Sequence, residues 1–307
     1  EECRRVRFAP HATDCHLPNA WWLAEASFAA YETFPTTAWS IDLSPLLEAE
    51  YQIRPTAAGG TQFLAVENEE VLIVAFRGTR LEEMVVPFLK APGVAPNWAD
   101  VAIDARFLPK KIAPDVFVHQ GFHEAYLAID APFADLVTAA ARDDKPVWLT
   151  GHSLGGALAT LAAYHHQKKI HGLYTFGSPR VGNAGFVKSL SEGLTNIWRF
   201  VHHRDVIPAL PPEGPPGTRR YVHAGRAKWI SGRQTWNIED GGSALNTVSA
   251  LAADALAHAQ EVGRTVARNF SLTDPKSWPI TMEALADHSP MYYANKIFNA
   301  HEASLGR

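Results

Sequence analysis

Gly151-His152-Ser153-Leu154-Gly155 sets one serine between two glycines at the spacing G-x-S-x-G. The short apolar run Val147-Trp148-Leu149-Thr150 precedes it, and a helical pattern over 154–167 follows. In a strand–turn–helix this tight, the serine takes a strained backbone conformation that lifts its hydroxyl above the sheet edge. Residues two before and two after the serine face each other across the turn, and only glycine leaves room there. The helix begins at the serine, so its first amides and its dipole point toward charge that develops on a reacting group. The backbone N–H of Leu154, the residue after the serine, is the expected oxyanion donor. This is an arrangement for acyl transfer by a serine nucleophile. The plainer alternative is a glycine-rich helix start with a capping serine.

A serine hydroxyl is a weak nucleophile until a base takes its proton, and the base needs a carboxylate to hold its tautomer and stabilise the imidazolium. Asp205 follows the strand-like run 197–201 in a loop at the carboxyl edge of the expected sheet, where open α/β sheets carry their sites. The histidines beyond it are His223, His258, His288 and His301. His258 falls inside a helical pattern, His301 lies in the C-terminal tail, and His223 sits in a strand-like stretch where a structural role is the default. His288 lies in Ala286-Asp287-His288-Ser289-Pro290-Met291-Tyr292-Tyr293. Asp287 is a poor orienter for it, because adjacent side chains rarely face each other. His152 is expected to point away from the line of attack, and His202 and His203 to close a strand.

Gly151-His152-Ser153-Leu154-Gly155-Gly156-Ala157-Leu158-Ala159 resembles the nucleophile elbow of the class 3 lipases, the fungal-lipase-like branch of the α/β-hydrolases. Four further segments resemble that family in order and register: Ala75-Phe76-Arg77-Gly78-Thr79, Val118-His119-Gln120-Gly121-Phe122, Thr175 to Asn183 (TFGSPRVGN), and Asp205-Val206-Ile207-Pro208 followed by Leu210-Pro211-Pro212. The resemblance covers roughly residues 20–230 and, beyond them, mainly the surroundings of one histidine. It implies Asp205, in the pattern D-x-x-P, as the catalytic aspartate and His288, ahead of a tyrosine-bearing helix, as the base. It implies Thr79 as the second oxyanion donor and the segment 80–96 as a lid over the site. That segment is longer than in the compact fungal enzymes and carries seven large apolar side chains (Leu81, Met84, Val85, Val86, Phe88, Leu89, Val94) against three charges after Arg80. An apolar loop of this kind hides a surface in water or presents it to lipid.

The activity so implied is that of a carboxylic ester hydrolase, a triacylglycerol lipase first, with a lipid ester as substrate and no cofactor. Phospholipase A1 and feruloyl-type esterases share the constellation, but an aromatic-acid esterase would carry a polar lid. A catalytically inactive lipid-binding relative would have lost a member of Ser153, Asp205 and His288, and all three are present.

The elements that must position these residues follow from periodicity. Val71 to Phe76 is a continuous apolar run suited to a strand buried on both faces. Strand-like runs at 146–150, 173–176 and 197–201 alternate with helical patterns at 122–141, 154–167 and 181–190, which predicts a mainly parallel sheet flanked by helices. A late strand or hairpin is expected over 221–230, a long helix over 246–269 and a last helix over 289–299. The chain of 307 residues is read as one α/β-hydrolase domain, 1–307, with an N-terminal arm at 1–19. A net charge of −4 offers no basic field for nucleic acid. No obligate protein partner is predicted.

Two cysteines, Cys3 and Cys15, exclude a cysteine zinc site and leave open one bridge or two free thiols in a loosely held arm. Fourteen histidines invite a metal reading, but the one adjacent pair on a helix, His165 and His166, faces apart; no metal is expected. The uncharged stretch 146–167 has the length of a membrane span, yet its glycines, proline and histidines fit a buried strand–turn–helix better. No apolar run follows the basic residues at the start, so no signal peptide is read. A mature secreted form has the same appearance and is the expected setting.

Overall fold

The computed structural model describes residues 6–32, 52–78, 108–203, 205, 207–211, 221–231, 236–241 and 287–306. Thr79, the segment 80–96, the expected helix 246–269 and Cys3 lie outside the described residues.

The apolar run after residue 70 forms β3 (Leu72–Phe76), with all five residues buried. Alternate side chains of a strand point to opposite faces. Leu72, Val74 and Phe76 join one core, and Ile73 and Ala75 join the other. The same alternation holds in β6 (Val147–His152), where Val147 and Leu149 face the first core and Trp148 the second. A strand clad on both faces is mainly apolar, which is why the sequence pattern shows no polar alternation there; the buried polar Thr150 and His152 of β6 are hydrogen-bonded.

These strands belong to an eight-stranded sheet that also contains β1 (Gln52–Ala58), β2 (Thr61–Glu67), β7 (Gly172–Phe176), β8 (Ile197–His202), β9 (Arg226–Ser231) and β10 (Asn237–Asp240), in the order β1-β2-β3-β6-β7-β8-β9-β10. β3, β6, β7, β8 and β9 run parallel, and antiparallel pairs close both edges. A separate antiparallel pair, β4 (Pro109–Ala113) and β5 (Val116–His119), precedes the first crossover helix. Helix α1 (Leu17–Glu32) and the last helix, α6 (Pro290–Ser304), cover one face of the sheet. Helices α2 (Gln120–Leu127), α3 (Asp130–Arg142), α4 (Leu154–His166) and α5 (Ala184–Gly193) cover the other.

Two expectations need correction, and two features were not expected. The helix read over 122–141 is two helices. Pro132 in the first turn of α3 cannot donate to the carbonyl four residues back, and its ring crowds that carbonyl, so the chain breaks at Ala128 and Ile129. The helix read from 181 starts at Ala184, because the side chain of Asn183 caps it by accepting from the Phe186 N–H at 3.0 Å. The hairpin of β1 and β2 was not expected; its signal is Gly59-Gly60, both at positive φ as the turn of a two-residue hairpin requires. Residues 6–16 are also not a loose arm. Trp22 donates to the Val6 carbonyl at 2.7 Å, Trp148 to that of Pro10 at 2.8 Å and Tyr174 to that of Asp14 at 3.1 Å. The uncharged stretch resolves as strand, turn and helix, and among the described residues no helix is long and apolar enough to cross a membrane.

Several histidines titrate below their ordinary value because the surrounding protein desolvates them. His119 caps α2, where its Nδ1 accepts the Phe122 N–H, and burial pushes its pKa down to about 4. Desolvation lowers His123, His165 and His223 as well. At pH 7 His119 is neutral folded and unfolded and contributes nothing. Below about 6.5 the unfolded chain binds the proton first, so stability falls until about pH 4 is reached, by up to roughly 3 kcal/mol for this group. Urea unfolding between pH 7 and 4 measures the loss. His119→Asn keeps a capping oxygen without a titrating ring, so its curve should be flatter; a curve parallel to wild type would refute the assignment.

Candidate active site

Ser153 lies between β6 and α4 with φ 57° and ψ −130°. That is the strained geometry the pentapeptide demands, and two contacts hold it there. The Ser153 N–H donates to the Phe176 carbonyl at 3.0 Å, and the Ser153 carbonyl accepts from Gly156 at 2.9 Å. A Cβ on Gly151 would lie 2.3 Å from the backbone of Gly155, so the two glycines meet across the turn as expected. Ser153 and Leu154 are both partly exposed at the head of a helix whose residues Gly155 to Ala163 are all buried.

Asp205 is 4% exposed and follows β8. Its Oδ1 accepts the Ile207 N–H at 3.0 Å, and its Oδ2 accepts the Tyr293 hydroxyl at 2.6 Å. His288 Nδ1 sits 2.9 and 2.8 Å from the two carboxylate oxygens. A carboxylate only accepts, so Nδ1 carries the proton and Nε2 is left as the basic nitrogen. Tyr293 stays protonated: burial and the Asp205 charge push its pKa well up. His288, 83 residues further along the chain, thus reaches Asp205 and not its neighbour Asp287.

Gly177, at the end of β7, makes this pair possible. Its φ is +57°, and a Cβ there would stand 2.6 Å from Asp205 Oδ2 and 3.0 Å from His288 Nδ1. Gly177→Ala should therefore push the pair apart and place alanine in the left-handed region. The expected outcome is a kcat about 10²-fold lower, with destabilisation above ~1 kcal/mol. Steady-state kinetics and a melting curve check it, and an unaltered kcat would contradict the packing.

Of the predicted residues, Asp205 and His288 are in direct contact. Among the described residues the Ser153 hydroxyl makes no hydrogen bond to His288, though its neighbours lead toward it. The preceding residue, His152, has its ring 4.4 Å from that of His288, and the Ser153 N–H bonds to the residue before Gly177. Thr79 lies outside the described residues; Gly78, before it, is packed so closely against Tyr31 and the His152 carbonyl that no Cβ would fit. His223 is half-buried, with its Nε2 2.8 Å from the Pro208 carbonyl oxygen. His301 lies within α6 and not in a frayed tail. His166 bonds to Asp130 at 2.9 Å, while His165 stacks on Tyr126. Tyr293 was missed as a member of the site. Its signal is its place in the first turn of α6, five residues after His288, where it can reach the same carboxylate.

The order of strands and the helices on both faces define an α/β-hydrolase fold. Residues 73–214 match the class 3 lipase family, and the resemblance carried by the motifs holds there. Secreted mono- and diacylglycerol lipase 1 of Fusarium solani is 38% identical over 120 residues, which are 38% of this chain and 34% of that protein. A lipase of Rhizomucor miehei is 28% identical over 192 residues, 59% of this chain and 47% of that one. This chain thus spans about a third to a half of the curated relatives it matches. Among solved structures, the triacylglyceride lipase of Rhizomucor miehei matches 69% of this chain and 78% of its own, with a TM-score of 0.53 at 22% identity. A fungal lipase–inhibitor complex, offered as a model for interfacial activation in lipases, matches 70% and 80% with a TM-score of 0.54 at 25% identity.

Proposed function

We propose that the protein hydrolyses carboxylic esters of lipids through an acyl-enzyme on Ser153, with His288 as base and Asp205 as its orienter. The observation that carries this is the His288–Asp205 hydrogen bond beside a serine in the elbow conformation. In the reaction, Ser153 Oγ attacks the ester carbonyl as its proton passes to His288 Nε2. The developing oxyanion is held by the Leu154 N–H and by Thr79. His288 then returns the proton to the leaving alcohol, and water, deprotonated in turn by His288, releases the acid. The Ser153–His288 hydrogen bond forms as substrate settles, a tightening common in such sites.

Glycerides are the proposed substrates. The relatives named as lipases support this, as does the apolar composition of 80–96, which we propose as a lid. The naming of the Fusarium solani relative supports a secreted setting. Initial rates on triacetin, tributyrin, triolein, phosphatidylcholine and methyl ferulate test the reading. Glyceride hydrolysis should lead, and the rate should rise as tributyrin passes its solubility limit. Turnover of methyl ferulate with none of any glyceride would overturn the substrate class.

A further inference from the structure

The main chain that presents His288 is tied down in an unusual way. Helix α6 begins at Pro290, which has no N–H, and its N-cap Ser289 makes no side-chain cap bond. The two carbonyls just before it are held by imidazoles. His152 Nε2 lies 2.6 Å from the His288 carbonyl oxygen, and His202 Nδ1 lies 2.9 Å from that of Asp287. Both histidines are buried, at 2% and 1% exposure. They are the last residues of β6 and β8, the two strands that flank β7.

We propose that His152 and His202 form a clamp that positions His288 against Asp205 and toward Ser153. The inference rests on the reading of His288 as the base. A carbonyl oxygen only accepts, so each clamp nitrogen carries its proton: Nε2 in His152 and Nδ1 in His202. The neighbour of His152 is compatible with its tautomer. The Tyr31 hydroxyl lies 2.8 Å from His152 Nδ1, which accepts from it when the ring proton is on Nε2. Separately, the backbone N–H of His202 donates to the Tyr293 hydroxyl at 2.9 Å, and that hydroxyl donates on to Asp205. The same strand end therefore fixes both the loop of the base and the partner of its carboxylate. His152 faces Tyr31, Tyr293 and His288, and its ring contacts that of His288. Burial keeps His152 neutral, so it does not oppose an imidazolium on His288. Neither histidine touches the reacting atoms; both act through the placement of the base, where an error of about 1 Å can cost ~10²-fold in rate.

Amide substitutions separate this role from mere filling of space. Glutamine Nε2 ends at the same bond count as imidazole Nε2, and asparagine Nδ2 at that of Nδ1. H152Q and H202N should therefore keep kcat, counted per site titrated by a serine-directed phosphonate, within about 10-fold of wild type. H152A, H202A and the swapped amides H152N and H202Q should lose on the order of 10²-fold in kcat while KM stays within about threefold. The downfield proton resonance of the His288–Asp205 bond should persist in the first pair and shift or vanish in the others. That resonance needs no turnover, so it tests the clamp even if the unaltered protein fails to react with phosphonate, a failure that would count against the acyl-enzyme reading instead. Wild-type kcat and resonance in every variant, or equal rescue by either amide at either position, would overturn the clamp. If the alanine variants do not fold, the four amide variants carry the same comparison.

Discussion

Replacing Ser153 by alanine is expected to lower kcat toward p-nitrophenyl butyrate by on the order of 10⁶, about 8 kcal/mol of barrier. The loss is this large because base, carboxylate and oxyanion donors have no acyl-enzyme to build without the Oγ; what remains over water comes from binding and the oxyanion site. Folding should be little affected, since alanine keeps the Cβ and the backbone bonds to Phe176 and Gly156 do not involve the side chain. A second substitution separates strain from chemistry. Ser153 sits at φ 57°, a conformation costly for any residue with a Cβ. Ser153→Gly should be as inactive as Ser153→Ala yet about 1 kcal/mol more stable, because the strain is relieved. Hydrolysis retained by Ser153→Ala, after removal of contaminating esterase, would end the assignment of the nucleophile.

Replacing Asp205 by asparagine is expected to cost about 10⁴ in kcat with little change in KM. Asp205 accepts from three donors, the Ile207 N–H, the Tyr293 hydroxyl and His288 Nδ1. An amide of the same shape must turn its NH₂ toward one of them. If it faces His288, the imidazole flips to the tautomer with the proton on Nε2 and can no longer act as a base toward Ser153. If it faces Tyr293, the hydroxyl loses its acceptor and has to turn away, which disturbs the buried contacts around the carboxyl position. Either way the imidazolium of the transition state loses its counter-charge. Steady-state kinetics measure the loss, and a variant within tenfold of wild type would show that this carboxylate does not orient the base. A fall in KM without a fall in kcat would be equally inconsistent, since the carboxylate acts on the proton transfer and not on substrate binding.

The two effects differ in size for a reason visible in the site. Without its nucleophile the chain has no covalent route. Without the carboxylate it keeps the nucleophile and the base, and a minority tautomer still works.

Local chemistry made much of this protein legible from its residues. Gly151 and Gly155 flank Ser153 because the elbow leaves no room for a Cβ, a constraint that acts over five residues and so is written in five residues. The two-sided burial of β3 was equally visible, because all five of its positions are apolar. Pro132, Asn183 and the pair Gly59-Gly60 carried boundary signals of the same local kind. Among four histidines beyond Asp205, residue chemistry alone left the base open, and family resemblance was needed to favour His288. What only the tertiary structure decided lies between residues far apart in the chain. Tyr293 reaches Asp205 across 88 positions, and His152 holds the His288 carbonyl across 136. The small space at Gly177 has a purpose only once residues 205 and 288 arrive beside it. A hydrogen bond needs its partners within about 3 Å and gives no periodicity to either flanking sequence. Packing of strands and helices, not the order of residues, brings those partners together.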